Sequence, residues 1–318
     1  MLSGCIGKVK MLTASERTRK EATMEDTIKT KRMSWGRRNA PAIATAGPVS
    51  FWMIVFVLLP MIYVVVISFM SRNVYGGIDF SFTLANYKEM LEPLYLKVIW
   101  KSFKLAVLTT VICLLLGYPL AYYIASKPSA TAAKLIMLVT IPYWTNSLVR
   151  LYSYNLLGAT NGPINNFLLK IGAIEAPLDL LYSDGVVIIG LLTAMLPFSV
   201  LPLYTSIEKL DKSLLEASKD LGANAFTTFR KVTIPLTMPG IVGCILLVFI
   251  PSLGMYYVPE ALGGGKVMLI GSLIRNQFLV TKNWPFGASL AILMILMTLI
   301  MMWIYTRVAS LDDLEEVF

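Results

Sequence analysis

The sequence predicts an all-α, polytopic integral membrane protein, and three observations carry that prediction. Of its 318 residues, 56% are hydrophobic and 15% are charged, where soluble domains run at roughly 45–50% and about 25%. Five stretches of 20 or more residues hold no Asp, Glu, Lys or Arg, each close to the ~20 residues that a spanning helix needs. Backbone in lipid has no water to bond, so only helices or closed barrels can span, and these runs read as helices.

In chain order, residues 1–47 carry ten Lys/Arg against four acids, with few aromatics and no periodicity, the composition of a solvated, disordered tail. No cleavable signal peptide is expected, because the first 40 residues are polar and the first apolar run is long enough to span. LSGC at 2–5 resembles a lipoprotein cleavage site but follows no apolar run, and Met24 or Met33 would serve as starts that leave every span intact. Six transmembrane helices are expected, at about 48–70, 105–125, 135–157, 186–206, 240–259 and 285–306. They make a membrane domain of 48–308, followed by a short acidic tail at 309–318. The third span is the weakest, since 15 residues separate Lys134 from Arg150 and Pro142 lies among them. A charge at mid-span costs about 2.5–3.5 kcal/mol. Arg150 is therefore expected to pair with an acid or a carbonyl, or to reach the interface.

Basic residues set the expected orientation. With both termini cytoplasmic, the inner segments collect 18 of the 28 Lys/Arg, as the positive-inside rule favours. The net charge of +9 follows mostly from that topology, so nucleic acid is not expected as a partner; membrane lipid is. The absence of His removes His metal ligands, Ser-His and Cys-His nucleophile pairs, and the commonest general base. Cys5, Cys113 and Cys244 are scattered, without the C-x-x-C spacing of zinc or redox sites. GGGKV at 263–267 lacks both the phosphate-loop frame and the Ser/Thr that would meet magnesium. No cofactor, no metal and no ATPase activity is expected of this chain.

Between the fourth and fifth spans lies a polar stretch of helical pattern, LLEASKDLGANAFTTFRKVTIPLTMPG at 214–240. Ser213 and Glu216 have the spacing of a capping box that starts a helix. Leu214, Leu215, Ala217, Ser218 and Leu221 form a small apolar face, and Gly222 stands where a left-handed residue ends the helix. Asn224 caps a second helix, whose Phe226, Phe229 and Val232 recur every three residues until Pro235 and Pro239 interrupt. Two short helices joined at a glycine make a docking shape, although an amphipathic loop lying on lipid fits the same pattern. The spacing goes further. Glu216-Ala217, Gly222 six residues after the Glu, then Val232, Ile234 and Pro235 resemble the EAA loop of ABC importer permeases, E-A-A-x3-G-x9-I-x-L-P. Ser218 replaces the third Ala, Val232 the Ile and Ile234 the Leu.

Other stretches extend the resemblance over about residues 45–308. PYWTNSLVRLYSY (142–154), NGPINNFLLKIGAI (161–174), PLYTSIEKLDKSLLEA (202–217), IPLTMPGI (234–241), ALGGGKVMLIG (261–271) and NWPFGASLA (283–291) look like the B-type permease subunits of bacterial spermidine/putrescine importers. The resemblance implies a type I ABC importer permease fold in the bacterial inner membrane, and a non-catalytic subunit that forms half of the pathway. It implies a second, non-identical permease and two copies of a cytoplasmic ATPase carrying ATP and Mg. It also implies an outer-side polyamine-binding protein, with spermidine and putrescine both open as cargo. Within coupling helices at about 208–238, it implies Glu216, Ala217, Ser218, Gly222, Phe226 and Pro235 as residues that couple to the ATPase.

A polyamine path must replace hydration without trapping its cargo. Spermidine carries about three charges at neutral pH, because its amines titrate near those of Lys. Carboxylates, carbonyl dipoles and aromatic faces, the last worth about 0.5–2 kcal/mol each, are the means available. The candidates are Tyr143, Trp144 and Asn146 in the third span, with Tyr152 and Tyr154 nearby, and Tyr256, Tyr257 and Glu260 at the end of the fifth. An interfacial aromatic belt also fits the Tyr and Trp residues, and a solvated loop acid fits Glu260. The rival function is a self-sufficient secondary transporter or channel. That would call for intramembrane acids, filter rings or related halves, and the spans offer neither convincing Asp or Glu nor an internal repeat.

Overall fold

The computed structural model describes residues 47–73 and 76–308. The expected basic tail, apart from Gly47, and the acidic tail at 309–318 lie outside them. The chain divides into two compact units, residues 1–63 and 64–318. The described part of the first is helical, with a π turn at Ile54–Leu58 and Trp52 stacked on Phe56 at 4.1 Å between ring centroids. This helix, α1 (Gly47–Ser68), continues into the second unit, where Ile67 and Ser68 are buried.

The second unit opens with one short piece of sheet before its helices. A hairpin of β1 (Met70–Arg72) and β2 (Ile78–Phe82) pairs antiparallel, with Met70 opposite Phe82 and Arg72 opposite Ile78. Asn86, buried in α2 (Ala85–Glu89), donates through Nδ2 to the carbonyls of Ser68 and Met70 at 3.0 and 2.8 Å. One side chain thus satisfies the backbone where helix gives way to strand.

The helices that follow are α3 (Pro93–Ala125), α4 (Ser129–Trp144), α5 (Ser147–Gly158), α6 (Pro163–Lys170) and α7 (Asp184–Glu208). After them come α8 (Lys212–Asp220), α9 (Ala225–Leu236), α10 (Met238–Gly254), α11 (Tyr257–Gly263), α12 (Ile270–Leu279) and α13 (Trp284–Val308). With 33 residues, α3 is ~50 Å long at 1.5 Å per residue, well beyond the ~30 Å hydrocarbon core. The expected span at 105–125 is its apolar part. The turns before it carry Lys97, Lys101 and Lys104, and Lys101 pairs with Asp184 at 2.7 Å.

Among the described residues, α1, α3, α7 and α13 are long and apolar enough to cross a membrane, and α9 with α10, bent by 67°, would make a fifth. The third expected span does not run as one helix. Its halves α4 and α5 have 16 and 12 residues, short of the ~20 a span needs. Thr145 between them is extended, and Asn146 accepts from the Leu148 N–H at 2.9 Å. The Asn side chain caps a new helix there instead of letting the old one continue. The fifth span stops at Gly254, earlier than expected, and residues 257–263 form α11.

The core lies where α3, α7 and α10 meet. Cys113, Ala121 and Ile124 of α3 pack with Val200 and Leu203 of α7 and with Cys244 and Val248 of α10. Both cysteines are thus packing residues. Lipid offers no hydrophobic drive between helices, so their approach depends on small residues. A Cβ on Gly117 would stand 2.7 Å from the Ser199 hydroxyl, and one on Gly240 would overlap Ser206 and lie 2.7 Å from the Pro202 carbonyl oxygen. Buried hydroxyls bond back along their own helices, Thr110 to Ala106 at 2.7 Å and Ser252 to Val248 at 2.6 Å.

A Gly240→Leu variant is therefore expected to lose about 1–3 kcal/mol of stability, the usual cost of overpacking, seen as earlier thermal unfolding of the purified protein. Gly243→Ala, whose new Cβ would meet Pro202 at an ordinary 3.4 Å, is the control and should unfold with the parent.

Candidate functional site

At one end of the bundle the chain leaves α7, forms α8 and α9, and re-enters as α10. The expected capping box is not formed. The N-cap of α8 is Asp211, whose carboxylate accepts from the Ser213 N–H at 2.9 Å. Ser213 is consequently inside the first turn, and Glu216, in the second, keeps an exposed side chain. The carboxylate preceding the helix has taken the role assigned to the hydroxyl. The backbone N–H and then the side chain of Ser213 hold the Asp211 carboxyl below its usual range.

The helix ends as its glycine requires. Gly222 has φ +79°, and the N–H groups of Gly222 and Ala223 donate to the carbonyls of Lys219 and Ser218 at 2.8 and 3.1 Å, a Schellman closure. Asn224 then caps α9 by accepting from the Thr227 N–H at 2.8 Å. The buried hydroxyls of Ser218 and Thr228 meet at 2.9 Å and tie the two helices into a hairpin.

The hairpin has an outer and an inner side. Outward stand Leu214, Leu221 and Phe226, the last two 89% and 71% exposed, beside exposed Glu216 and Ala217. The expected three-residue recurrence of Phe226, Phe229 and Val232 is broken by a π turn at Phe229–Thr233. Phe229 instead meets Tyr118 of α3 edge-on, with ring centroids 5.6 Å apart. The Thr237 hydroxyl donates to the Thr233 carbonyl at 2.8 Å, so the Tyr118 hydroxyl, 2.9 Å away, donates to Thr237 at the α9–α10 bend. Pro235 lies exposed in the last turn of α9.

The other candidate group lies around the α10–α11 junction. Tyr256 and Glu260 are one turn apart, the Glu260 N–H donating to the Tyr256 carbonyl at 3.1 Å. Arg275 of α12 reaches both, with Nη1 2.8 Å from Glu260 Oε1 and Cζ 5.6 Å from the Tyr256 ring centroid. Tyr256 and Tyr257 are edge-on at 6.0 Å. From the α4–α5 break, Tyr143 packs edge-on against Phe198 of α7 at 4.9 Å. Arg150 donates through Nη1 to the Pro142 carbonyl at 2.9 Å, the kind of partner expected of it. Leu151 and Tyr154 of α5 pack in one cluster with Tyr257 and Val258 of α11, so two distant stretches of sequence converge. Asn155 of α5 helps to hold them, its Nδ2 donating to the Ala261 carbonyl at 3.0 Å. Asn146 spends its side chain on the α5 cap, and Trp144 is 76% exposed.

Residues 117–310 match the model of a family described as binding-protein-dependent transport system inner membrane component. The chain belongs to that family. Its relatives include the spermidine/putrescine transport system permease protein PotB of Escherichia coli (strain K12), 44% identical over 260 residues that cover 82% of this chain and 94% of that one. PotB of Haemophilus influenzae is 42% identical over 267 residues, covering 84% and 93%. In fold, the chain is similar to a bacterial alginate ABC transporter solved in complex with an alginate pentasaccharide-bound periplasmic protein, with TM-score 0.71, 15% identity, and 86% and 94% of the two chains covered.

This permease is a membrane transport subunit and not an enzyme, and membership of a binding-protein-dependent family sets aside a self-sufficient transporter. Three of its contacts escape sequence reasoning, with different degrees of excuse. Asp211 was available as an N-cap signal, since an acid directly before an amphipathic run is a preferred start. Tyr118 and Arg275 carry no local signal, because each meets its partner from a different helix.

Loss of the Asp211 carboxylate should open the start of α8. In amide hydrogen exchange on the purified permease, Asp211→Ala is expected to speed exchange over residues 213–216 roughly five- to tenfold, the scale of one helix cap, and Ser213→Ala, which leaves the carboxylate and the Ser213 N–H in place, to speed it less. Because the carboxyl titrates below its usual range, this cap persists at neutral pH and is lost only as pH falls through that lowered value.

Proposed function

We propose that this permease forms half of the membrane path of an importer that carries polyamines, spermidine or putrescine, driven by ATP hydrolysis in a separate cytoplasmic subunit. The observation that carries the reading is the 44% identity, over 82% of the chain, to a permease named for spermidine/putrescine transport. The chemistry agrees with it. Tyr256 and Glu260 present an aromatic face and a carboxylate one helical turn apart, with Tyr257 edge-on to Tyr256, and an ammonium takes such partners.

In this reading both termini are cytoplasmic, as the 18 of 28 Lys/Arg on the inner segments favour. The α8–α9 hairpin then faces the ATPase, and the Glu260 end faces outward. Phe226, Leu214 and Leu221 are the knobs that a groove on the ATPase would bury, about 1.5–3 kcal/mol for each side chain fully covered. Glu216, Ala217, Ser218, Gly222 and Pro235 shape and charge the same hairpin. A second, non-identical permease completes the path, two copies of the ATPase drive it, and an outer-side polyamine-binding protein delivers the cargo. The chain binds no cofactor of its own; ATP and Mg belong to the ATPase. Hydrolysis shifts the population between outward-open and inward-open arrangements because the hairpin makes different contacts in each.

Two measurements test this. In proteoliposomes holding the assembled transporter and its binding protein, spermidine or putrescine should be taken up with ATP, while neutral and anionic solutes neither enter nor compete. Transport of an anion, with polyamines neither carried nor competing, would overturn the cargo. For coupling, Gly222→Val puts a β-branched residue at φ +79°, where L-residues pay roughly 1–2 kcal/mol. The complex should assemble and hydrolyse ATP, but uptake should fall at least about tenfold, the equivalent of ~1.4 kcal/mol of lost coupling. Uptake at the parent rate would sink the coupling role of the hairpin.

A further inference from the structure

At the α10–α11 junction, the two groups suited to a cargo ammonium already hold a cation of the chain's own. Tyr256, the residue before α11, and Glu260, one turn into it, are joined by the Glu260 N–H to Tyr256 carbonyl bond, and α12 is brought against them at close range. Gly271 abuts the Gly254 carbonyl so closely that a Cβ there would overlap it, and the Ser272 hydroxyl donates to the Tyr256 carbonyl at 3.3 Å. One turn beyond Gly271, Arg275 sits 2.8 Å from the Glu260 carboxylate and over the Tyr256 ring at 5.6 Å. The guanidinium thus takes the same pair of partners, carboxylate and aromatic face, that an ammonium would take. Both side chains remain open to solvent, Arg275 at 37% and Glu260 at 47% exposure, and an exposed pair of this kind is weak enough to exchange.

We propose that Arg275 is a tethered surrogate for the cargo's ammonium: it occupies Glu260 and Tyr256 between cargoes and is displaced when an amine takes its place. The proposal rests on the polyamine reading above. It makes Arg275 a specificity-determining residue. A monovalent cation must displace a guanidinium that is held at two points and cannot diffuse away. A polyamine carries several ammonium groups on one chain, so a group held elsewhere along the path raises the effective concentration of the next one at Glu260. Polyvalent cations therefore compete where monovalent ones do not.

The test measures binding to the assembled transporter in lipid nanodiscs, without the binding protein, by calorimetric titration at low salt with spermidine and with propylamine. Arg275→Gln should bind spermidine about tenfold more tightly than the parent, the combined scale of one exposed ion pair and one cation–aromatic contact. Propylamine should gain at least as much, so that the preference for the polyamine narrows. The double variant Glu260→Gln/Arg275→Gln should lose the gain. Arg275→Lys, which keeps the charge but not the two-point fork, should lie between parent and Arg275→Gln, and it decides the matter if Arg275→Gln fails to assemble. Binding by assembled Arg275→Gln, or failing that Arg275→Lys, that equals or falls below the parent's would overturn the proposal, while polyamine uptake by the parent would keep the cargo assignment standing. If neither the parent nor any variant binds a polyamine and vesicles take none up, the cargo reading itself fails, and the surrogate with it.

Discussion

Helices that approach more closely than side chains normally permit hold this permease together. Against lipid, apolar surface gains little by turning inward, so association rests on packing and on small residues at the crossings. Gly117 lets α3 come against Ser199, and Gly240 lets α10 come against Pro202 and Ser206. Both contacts are made to α7, while α3 and α10 also pack on each other, Phe103 meeting Phe249 edge-on at 5.6 Å. The ends of α10 follow from this. It begins at the Thr237 bend, where Tyr118 of α3 reaches across, and it stops at Gly254, where α11 and α12 gather.

The same scarcity of water governs the polar groups. The hydroxyls of Thr110 and Ser252 turn back to carbonyls of their own helices, and Asn86 serves two carbonyls at once. The cations behave alike. Arg150 takes the Pro142 carbonyl, Lys101 takes Asp184, and Arg275 takes Glu260 together with the Tyr256 face. A charge near an apolar bundle is tolerable when it is paired, and pairing within the chain leaves each partner committed until something competes for it.

The α8–α9 hairpin obeys the opposite rule, which is why it stands out. Its internal order is complete: a carboxylate cap, a left-handed glycine, an Asn cap and a buried pair of hydroxyls. Yet Leu221 and Phe226 remain open to solvent. A segment so well ordered has no internal reason to leave large apolar side chains uncovered, and such patches mark interaction surfaces. Its inner side is anchored to α3 through Phe229 and Tyr118, and Tyr118 also bonds Thr237 where α10 begins.

The apolar runs by themselves determined that the chain is a helical membrane protein, because composition and length suffice where only helices can satisfy the backbone. Local chemistry went as far for Gly222 and Asn224, whose roles depend on residues within one turn of themselves. Spacing alone carried the resemblance to an EAA loop, with Glu216, Gly222 and Pro235 in register. Where two local signals competed, sequence reasoning chose wrongly: Asp211 and Ser213 are both good caps, and the one that precedes the helix took the role. The break at Thr145–Asn146 was hinted at by Pro142 and the short run before Arg150, but an apolar run cannot say whether it is one helix or two. The hairpin at residues 70–82 was hidden for the same reason, being too short to set a period of its own. Tertiary structure alone decided which of the scattered aromatics meet. Tyr154 and Tyr257 are brought into one cluster by the packing of α5 on α11, and Glu260 receives Arg275 from another helix. Contacts of that kind are set by where whole helices come to rest, and that is a property of the packed bundle with no trace in the neighbouring residues.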